Sequence, residues 1–132
     1  MADLILVVED SDEDVEAISR AIGRSHPAVE LEFLRSGAEV LPRLTGPAAV
    51  RPALVLLDLN MPGESGLDVI KQVRAEATLS GLTLVVFTSS EDQAEADACY
   101  AAGADSYIYK PINFALFRTV LQQTLDYWSS RP

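Results

Sequence analysis

Residues 54–63 read LVLLDLNMPG: four apolar residues run straight into a carboxylate, Asp58, and the chain then breaks at Pro62 and Gly63. A short continuous apolar run bounded by turn residues fits a strand covered on both faces, as in a parallel sheet. A charge at the mouth of such a strand is costly unless something at that end of the sheet compensates it. The reading of this stretch therefore sets both a fold and a place to look for chemistry.

Working outward, Leu4–Val8, Leu31–Leu34, Leu82–Phe87 and Ser106–Tyr109 are four more runs rich in Val, Ile, Leu and aromatic residues. Segments of helical period separate them, the pattern that generates βαβ units. The runs at Leu4, Leu54 and Leu82 are continuously apolar and are expected to be the central strands. Ser11 followed by Asp14 reads as an N-cap with its reciprocal acid, and Val15, Ile18 and Ile22 then share one helical face. Ser36 with Glu39 opens a second capping box, but Pro42 removes a backbone donor a turn later, so that helix is expected to be short or bent. Leu67, Ile70 and Val73 form the inner stripe of a third helix, and Gly103 is placed to end the Ala-rich helix from Ala94 to Ala102.

The composition suits one domain. The 132 residues are 48% hydrophobic, enough to bury a core without staples, and a lone Cys99 excludes an intrachain disulfide. A formal net charge of −10 disfavours nucleic acid and anionic membrane as partners. The start MADLILVVED has no basic n-region and no apolar run is long enough to span a bilayer, so a cytoplasmic location is expected.

A doubly wound five-stranded parallel sheet binds its ligand at the carboxyl ends of the strands. There the sequence puts Glu9 and Asp10 after the first strand, Asp58 after the third, Thr88, Ser89 and Ser90 after the fourth, and Lys110 with Pro111 after the fifth. Each taken alone has an ordinary role as cap, turn residue or solvated charge; their convergence on one rim does not. Carboxylates crowded together raise one another's proton affinities unless a cation sits among them. Mg²⁺ fits, since it takes oxygen ligands and is commonly held by one or two carboxylates together with a phosphate. The carboxylates are too few for a Ca²⁺ cage, and no His or Cys lies nearby to recruit zinc. A carboxylate is also a competent nucleophile toward phosphorus when charge on the phosphoryl oxygens is neutralised.

EDSDED near the start, LLDLNMPGESG in the middle, VVFTSS after the fourth strand and YIYKP after the fifth together resemble the receiver domain of two-component response regulators, the CheY-like family, over essentially the whole chain. The resemblance implies a flavodoxin-like three-layer sandwich of five strands and five helices with strand order 2-1-3-4-5. It makes Asp58 the phosphoacceptor, Asp10 the direct metal ligand, Glu9 an acid acting mostly through water, and Asn60 the donor of a backbone carbonyl to the metal. Thr88 and Lys110 match the pair that contacts the phosphoryl group, and Tyr107 matches an aromatic switch that turns inward with Thr88. It further implies a cis Lys110–Pro111 bond, a sensor histidine kinase as donor, and a regulator that catalyses its own phosphorylation and dephosphorylation without being a turnover enzyme. The tail residues SYIYKPINF and LDYWSS look most like the small regulators paired with phytochrome-type kinases.

The chain ends at Pro132, directly after the fifth helix, so residues 1–132 are expected to be a single receiver with no output domain. In that helix Ile112, Leu116 and Val120 are expected to face the core. Phe114, Phe117, Leu121, Leu125 and Trp128 widen the apolar arc beyond the ~100° that packing on one sheet needs. The surplus suggests a homodimer through the last helix, with Phe114, Leu121, Leu125 and Trp128 at its interface. Glu91, Asp92, Glu95 and Asp97 give the fourth helix an acidic face suited to a basic partner, Cys99 is expected to be packed, and His26 to be solvated. Two other readings compete. A haloacid-dehalogenase-type phosphatase needs a second acid two residues past the nucleophile, where this chain has Asn60. A phosphorylation-independent interaction module on the same fold would have no use for Asp10, Asp58, Thr88 and Lys110 together.

Overall fold

The computed structural model describes residues 3–47, 49–61 and 63–129, the last without its side chain. Pro62, half of the expected break, and the chain end at Pro132 lie outside the described residues. Five parallel strands form one sheet: β1 Leu4–Val8, β2 Glu30–Leu34, β3 Leu54–Leu57, β4 Leu84–Thr88 and β5 Ser106–Tyr109, in the order β2-β1-β3-β4-β5. Among the described residues the α-helices are α1 Asp12–Ser25, α2 Val40–Thr45, α3 Gly66–Ala75, α4 Gln93–Ala102 and α5 Phe114–Ser129. None is long and apolar enough to cross a membrane.

The continuous apolar runs sit where two-sided burial demands them. Ile5, Val7, Leu54, Leu56, Val85 and Phe87 point to a core layer closed by α1 and α5. Leu6, Val8, Val55, Leu57, Leu84 and Val86 point the other way, to a layer closed by α2, α3 and α4. The result is the expected three-layer sandwich. The fourth strand begins at Leu84 instead of Leu82: Leu82 is buried, but its N–H donates to Leu79 O at 3.1 Å, closing the short 3₁₀ turn Ala77–Leu79 before the strand starts.

Capping follows the sequence, with one exchange of partners. The Ser11 hydroxyl accepts from the Asp14 N–H at 3.3 Å, as expected of the N-cap of α1. The reciprocal acid is Glu9, which accepts from the Ser11 N–H at 3.2 Å, whereas the Asp14 carboxylate is drawn to Lys110. Glu39 accepts from the Ser36 N–H at 3.1 Å and opens a 3₁₀ turn, Gly37–Glu39, that leads into a six-residue α2. Pro42 lies in the first turn of α2, where a missing N–H forfeits no intrahelical bond. Gly103 ends α4 with φ +117° and sends its N–H back to the carbonyls of Cys99 and Tyr100.

The last helix is rotated relative to the expectation. Phe117, Leu121, Thr124 and Leu125 are its buried residues, with Val120 and Trp128 packed at the margin. Ile112 precedes the helix and is 95% exposed, and Phe114 and Leu116 also face outward. Leu121 and Leu125 therefore belong to the core and are not available to a dimer interface. The cause is Phe117, whose ring packs against Phe87 of β4 with centroids 5.4 Å apart and fixes the inward face of α5.

Candidate functional site

Three ladder hydrogen bonds carry the sheet's register into its carboxyl rim. The Glu9 N–H donates to Leu34 O at 2.9 Å, the Asp58 N–H to Val8 O at 3.1 Å, and the Lys110 N–H to Thr88 O at 2.7 Å. Each charged residue is thus the first one past its strand, still held by a neighbouring strand's backbone. Gly66 brings α3 against the same rim. A Cβ there would lie 2.7 Å from both the Asp58 carbonyl oxygen and the Leu59 Cα, so only glycine permits this approach.

The rim gathers most of the expected residues. One carboxylate oxygen from each of Glu9, Asp10 and Asp58 lies within 4.8 Å of the others. The Lys110 ammonium donates to Glu9, to Asp14 Oδ2 at 2.9 Å and to Asp58 Oδ2 at 3.4 Å. Asp58 Oδ1 accepts from the Asn60 N–H at 3.2 Å, which fixes the carboxylate's orientation. Thr88 is fully buried, and its hydroxyl accepts from the Ser90 N–H at 3.3 Å. Tyr107 is half-buried and donates to the Ser90 carbonyl at 3.0 Å, linking β5 to the loop that follows Thr88.

One ammonium faces the carboxylates of Glu9, Asp14 and Asp58, and burial sharpens the conflict. Burial pushes the Glu9 carboxyl up to about 7 against the pull of Lys110, and the Asp58 charge adds to the rise. Burial also works against the charge of Lys110, but its hydrogen bonds to Glu9 and Asp14 and the charges of Asp58 and Glu9 outweigh it and hold the ammonium above its usual range. The site thus concentrates negative charge in a shielded place, with a fixed cation 3.4 Å from Asp58 Oδ2.

Several expectations need revision. The Lys110–Pro111 bond is trans, as is every described peptide bond; trans is the intrinsically favoured form, and Lys110 reaches its acids without the alternative. His26 is tied down, its ring bridging Ser25 Oγ at 2.7 Å and Asp126 Oδ1 at 2.8 Å, and so couples α1 to α5. Cys99 is buried as expected, and burial raises its thiol above the usual range. Asp14, Phe87 and Gly66 went unnoticed as site residues. Asp14 had a signal: it lies one turn past Asp10, on the rim side of α1. Phe87 offers its ring 5.7 Å from the Lys110 ammonium, a contact that no sequence pattern marks.

Comparison with known proteins decides the family. The response regulator receiver domain family matches residues 5–122. This chain belongs to the response regulator receiver domain family. A probable methanogenesis regulatory protein, FilR2 of Methanothrix harundinacea, is 30% identical over 95% of this chain and 83% of its own. Response regulator Rcp1 of Synechocystis is 29% identical over 95% of this receiver and 88% of its own length. Its Mn²⁺-bound crystal structure superposes with a TM-score of 0.89 at 28% identity, covering 98% of this receiver and 96% of that chain. The phosphorylated cyanobacterial phytochrome response regulator RcpA superposes with a TM-score of 0.91 at 28% identity over 98% and 96% of the two chains. Receiver domains are components of two-component signalling that interact with sensor histidine kinases, act as regulators and not as turnover enzymes, and bind Mg²⁺ at an acidic pocket. The trio Glu9, Asp10 and Asp58 fits such an ion: all donors are oxygens, they are close enough to share one cation, and they carry more negative charge than Lys110 alone balances.

Proposed function

We propose that this receiver takes a phosphoryl group from a sensor histidine kinase onto Asp58 and signals by the change in conformation and docking that follows. The observation that carries the proposal is the Lys110 ammonium held between Glu9 and Asp58 at the buried rim. A carboxylate oxygen of Asp58 forms the new P–O bond while the P–N bond to the donor imidazole breaks. The electron pair leaves with the imidazole nitrogen, which then takes a proton. Lys110 offsets charge on the phosphoryl oxygens, and the Thr88 hydroxyl turns from Ser90 to donate to one of them. Glu9, Asp10 and Asp58, with the Asn60 carbonyl, would hold Mg²⁺, which would supply further positive charge to offset the phosphoryl oxygens. Hydrolysis of the acyl phosphate at the same site would reset the protein. Tyr107 is the residue placed to sense the move of Thr88, since its hydroxyl is tied to Ser90, two positions on.

The likeness to RcpA and Rcp1 supports a phytochrome-type kinase as the donor. Dimerisation through α5 falls to the exposed Leu116 and Tyr127 beside Ile112, and not to Leu121 and Leu125. Incubation with an autophosphorylated phytochrome-type histidine kinase tests the donor: label should move to this chain with Mg²⁺ and remain on the kinase with Asp58→Asn or excess EDTA. Equal transfer to Asp58→Asn would refute the assignment.

A further inference from the structure

We propose that the groove between α1 and α5 docks a short acidic segment of a partner protein, read by Arg20, Arg24 and Arg118. Two adjoining clefts of about 410 and 540 Å³ open between these helices and share Arg24 and Arg118 in their walls. No carboxylate lines either cleft among the described residues. In a chain with 20 acidic and 10 basic side chains this is a local reversal of sign.

Most of the described cations outside the groove are engaged, and Arg51 donates to the Thr78 carbonyl at 2.9 Å. Arg35, Arg43, Arg74 and Lys110 each sit on a carboxylate. In the groove only Arg20 does, through an exposed pair with Glu16 at 2.6 Å. Arg24 has no ion-pair or hydrogen-bond partner among the described residues. Arg118 packs its guanidinium on the Phe114 ring at 5.4 Å, and its Nε is shielded from solvent with no acceptor among the described residues. A shielded donor without an acceptor costs free energy that an incoming carboxylate recovers. Stacking on Phe114 holds the guanidinium in advance, so less freedom is lost on binding.

The spacing and shape select the ligand. Arg20 and Arg24 lie one helical turn apart, about 6 Å. Carboxylates four apart on a helix, or two apart on a strand at roughly 6.6 Å, match that separation. The groove is open along its length, unlike a small-molecule site that encloses most of its ligand. The remaining net negative charge repels a long polyanion, so a nucleic acid is a poor occupant and a short acidic segment a good one. The groove is also separate from the phosphorylation site, because Arg20 and Arg24 lie about 9 and 15 Å further along α1 than Asp14.

The test is a fluorescein-labelled alanine-based helical peptide carrying glutamates four apart, titrated by anisotropy at low and at physiological salt. The parent should bind it, more weakly as salt rises, and Arg24→Glu with Arg118→Glu should weaken binding at least about tenfold. The same variant should keep its melting temperature and its labelling by acetyl phosphate; if it misfolds, Arg24→Gln with Arg118→Gln should give the same direction of change. The proposal is overturned if the parent does not bind, or if the folded variant binds equally. Full competition by millimolar inorganic phosphate would overturn it in favour of a small-anion site. Loss of parent self-association in the variant would overturn it in favour of a second copy of the chain.

Discussion

Glu9 carries a carboxylate into a place where it is 1% exposed, beside a second carboxylate and a lysine. Its ordinary value is 4.5 and in the fold it rises to about 7. The folded state therefore keeps a proton that the unfolded chain releases across that window, and the contribution of Glu9 to stability falls as pH rises from 4.5 to about 7. In EDTA, Glu9→Gln should raise the melting temperature more at pH 8 than at pH 5; an equal change at both would show that Glu9 is not strained. Gly66 is the second sensitive residue. Gly66→Ala places a methyl group 2.7 Å from the Asp58 backbone and should cost about 1–3 kcal/mol in chemical denaturation. A stability equal to the parent's would mean that α3 can retreat from the rim freely. At this scale the sequence showed which residues carry charge at strand ends, because strand ends are marked by composition. It did not show which acid meets which cation: Asp14 looks like a cap and serves Lys110, while Glu9 does the capping.

Elements were legible in proportion to the strength of their periodic signal. β1, β3 and β5 carry the bounds read from their apolar runs, and Gly103 ends α4 because a left-handed residue is needed there. α5 departs from expectation because it carries two apolar stripes, Leu116 with Val120 and Phe117 with Leu121, Leu125 and Trp128, and periodicity does not say which of them meets the sheet. The choice is made by partners distant in sequence, above all Phe87 for Phe117. The corrected orientation separates two kinds of substitution. Leu121→Asp buries a charge in the layer between sheet and helix and should unfold the protein or cost more than about 3 kcal/mol, read by circular dichroism melts. Ile112→Asp with Leu116→Asp should leave the melt nearly unchanged while shifting sedimentation toward monomer. A parent already monomeric at high concentration would remove the dimer from the account.

For the molecule as a whole, the parallel order β2-β1-β3-β4-β5 is what makes a site out of scattered residues. Every strand delivers its carboxyl end to one rim, so Glu9 and Asp10, Asp58, Thr88 and Lys110 meet although about a hundred positions separate the first from the last. That convergence could be read from the chain, since it follows from topology and handedness rather than from side-chain detail. The α1–α5 groove could not, because its arginines are unremarkable until two helices bring them together. The central claim is that the rim exists to make Asp58 phosphorylatable. It is tested most directly by mass spectrometry of the intact protein and its peptides after treatment with acetyl phosphate and Mg²⁺. One phosphoryl group should appear on the peptide containing Asp58, vanish with Asp58→Asn and fall sharply with Lys110→Ala. A phosphoryl group that maps elsewhere, or that persists undiminished in Asp58→Asn, would contradict the account.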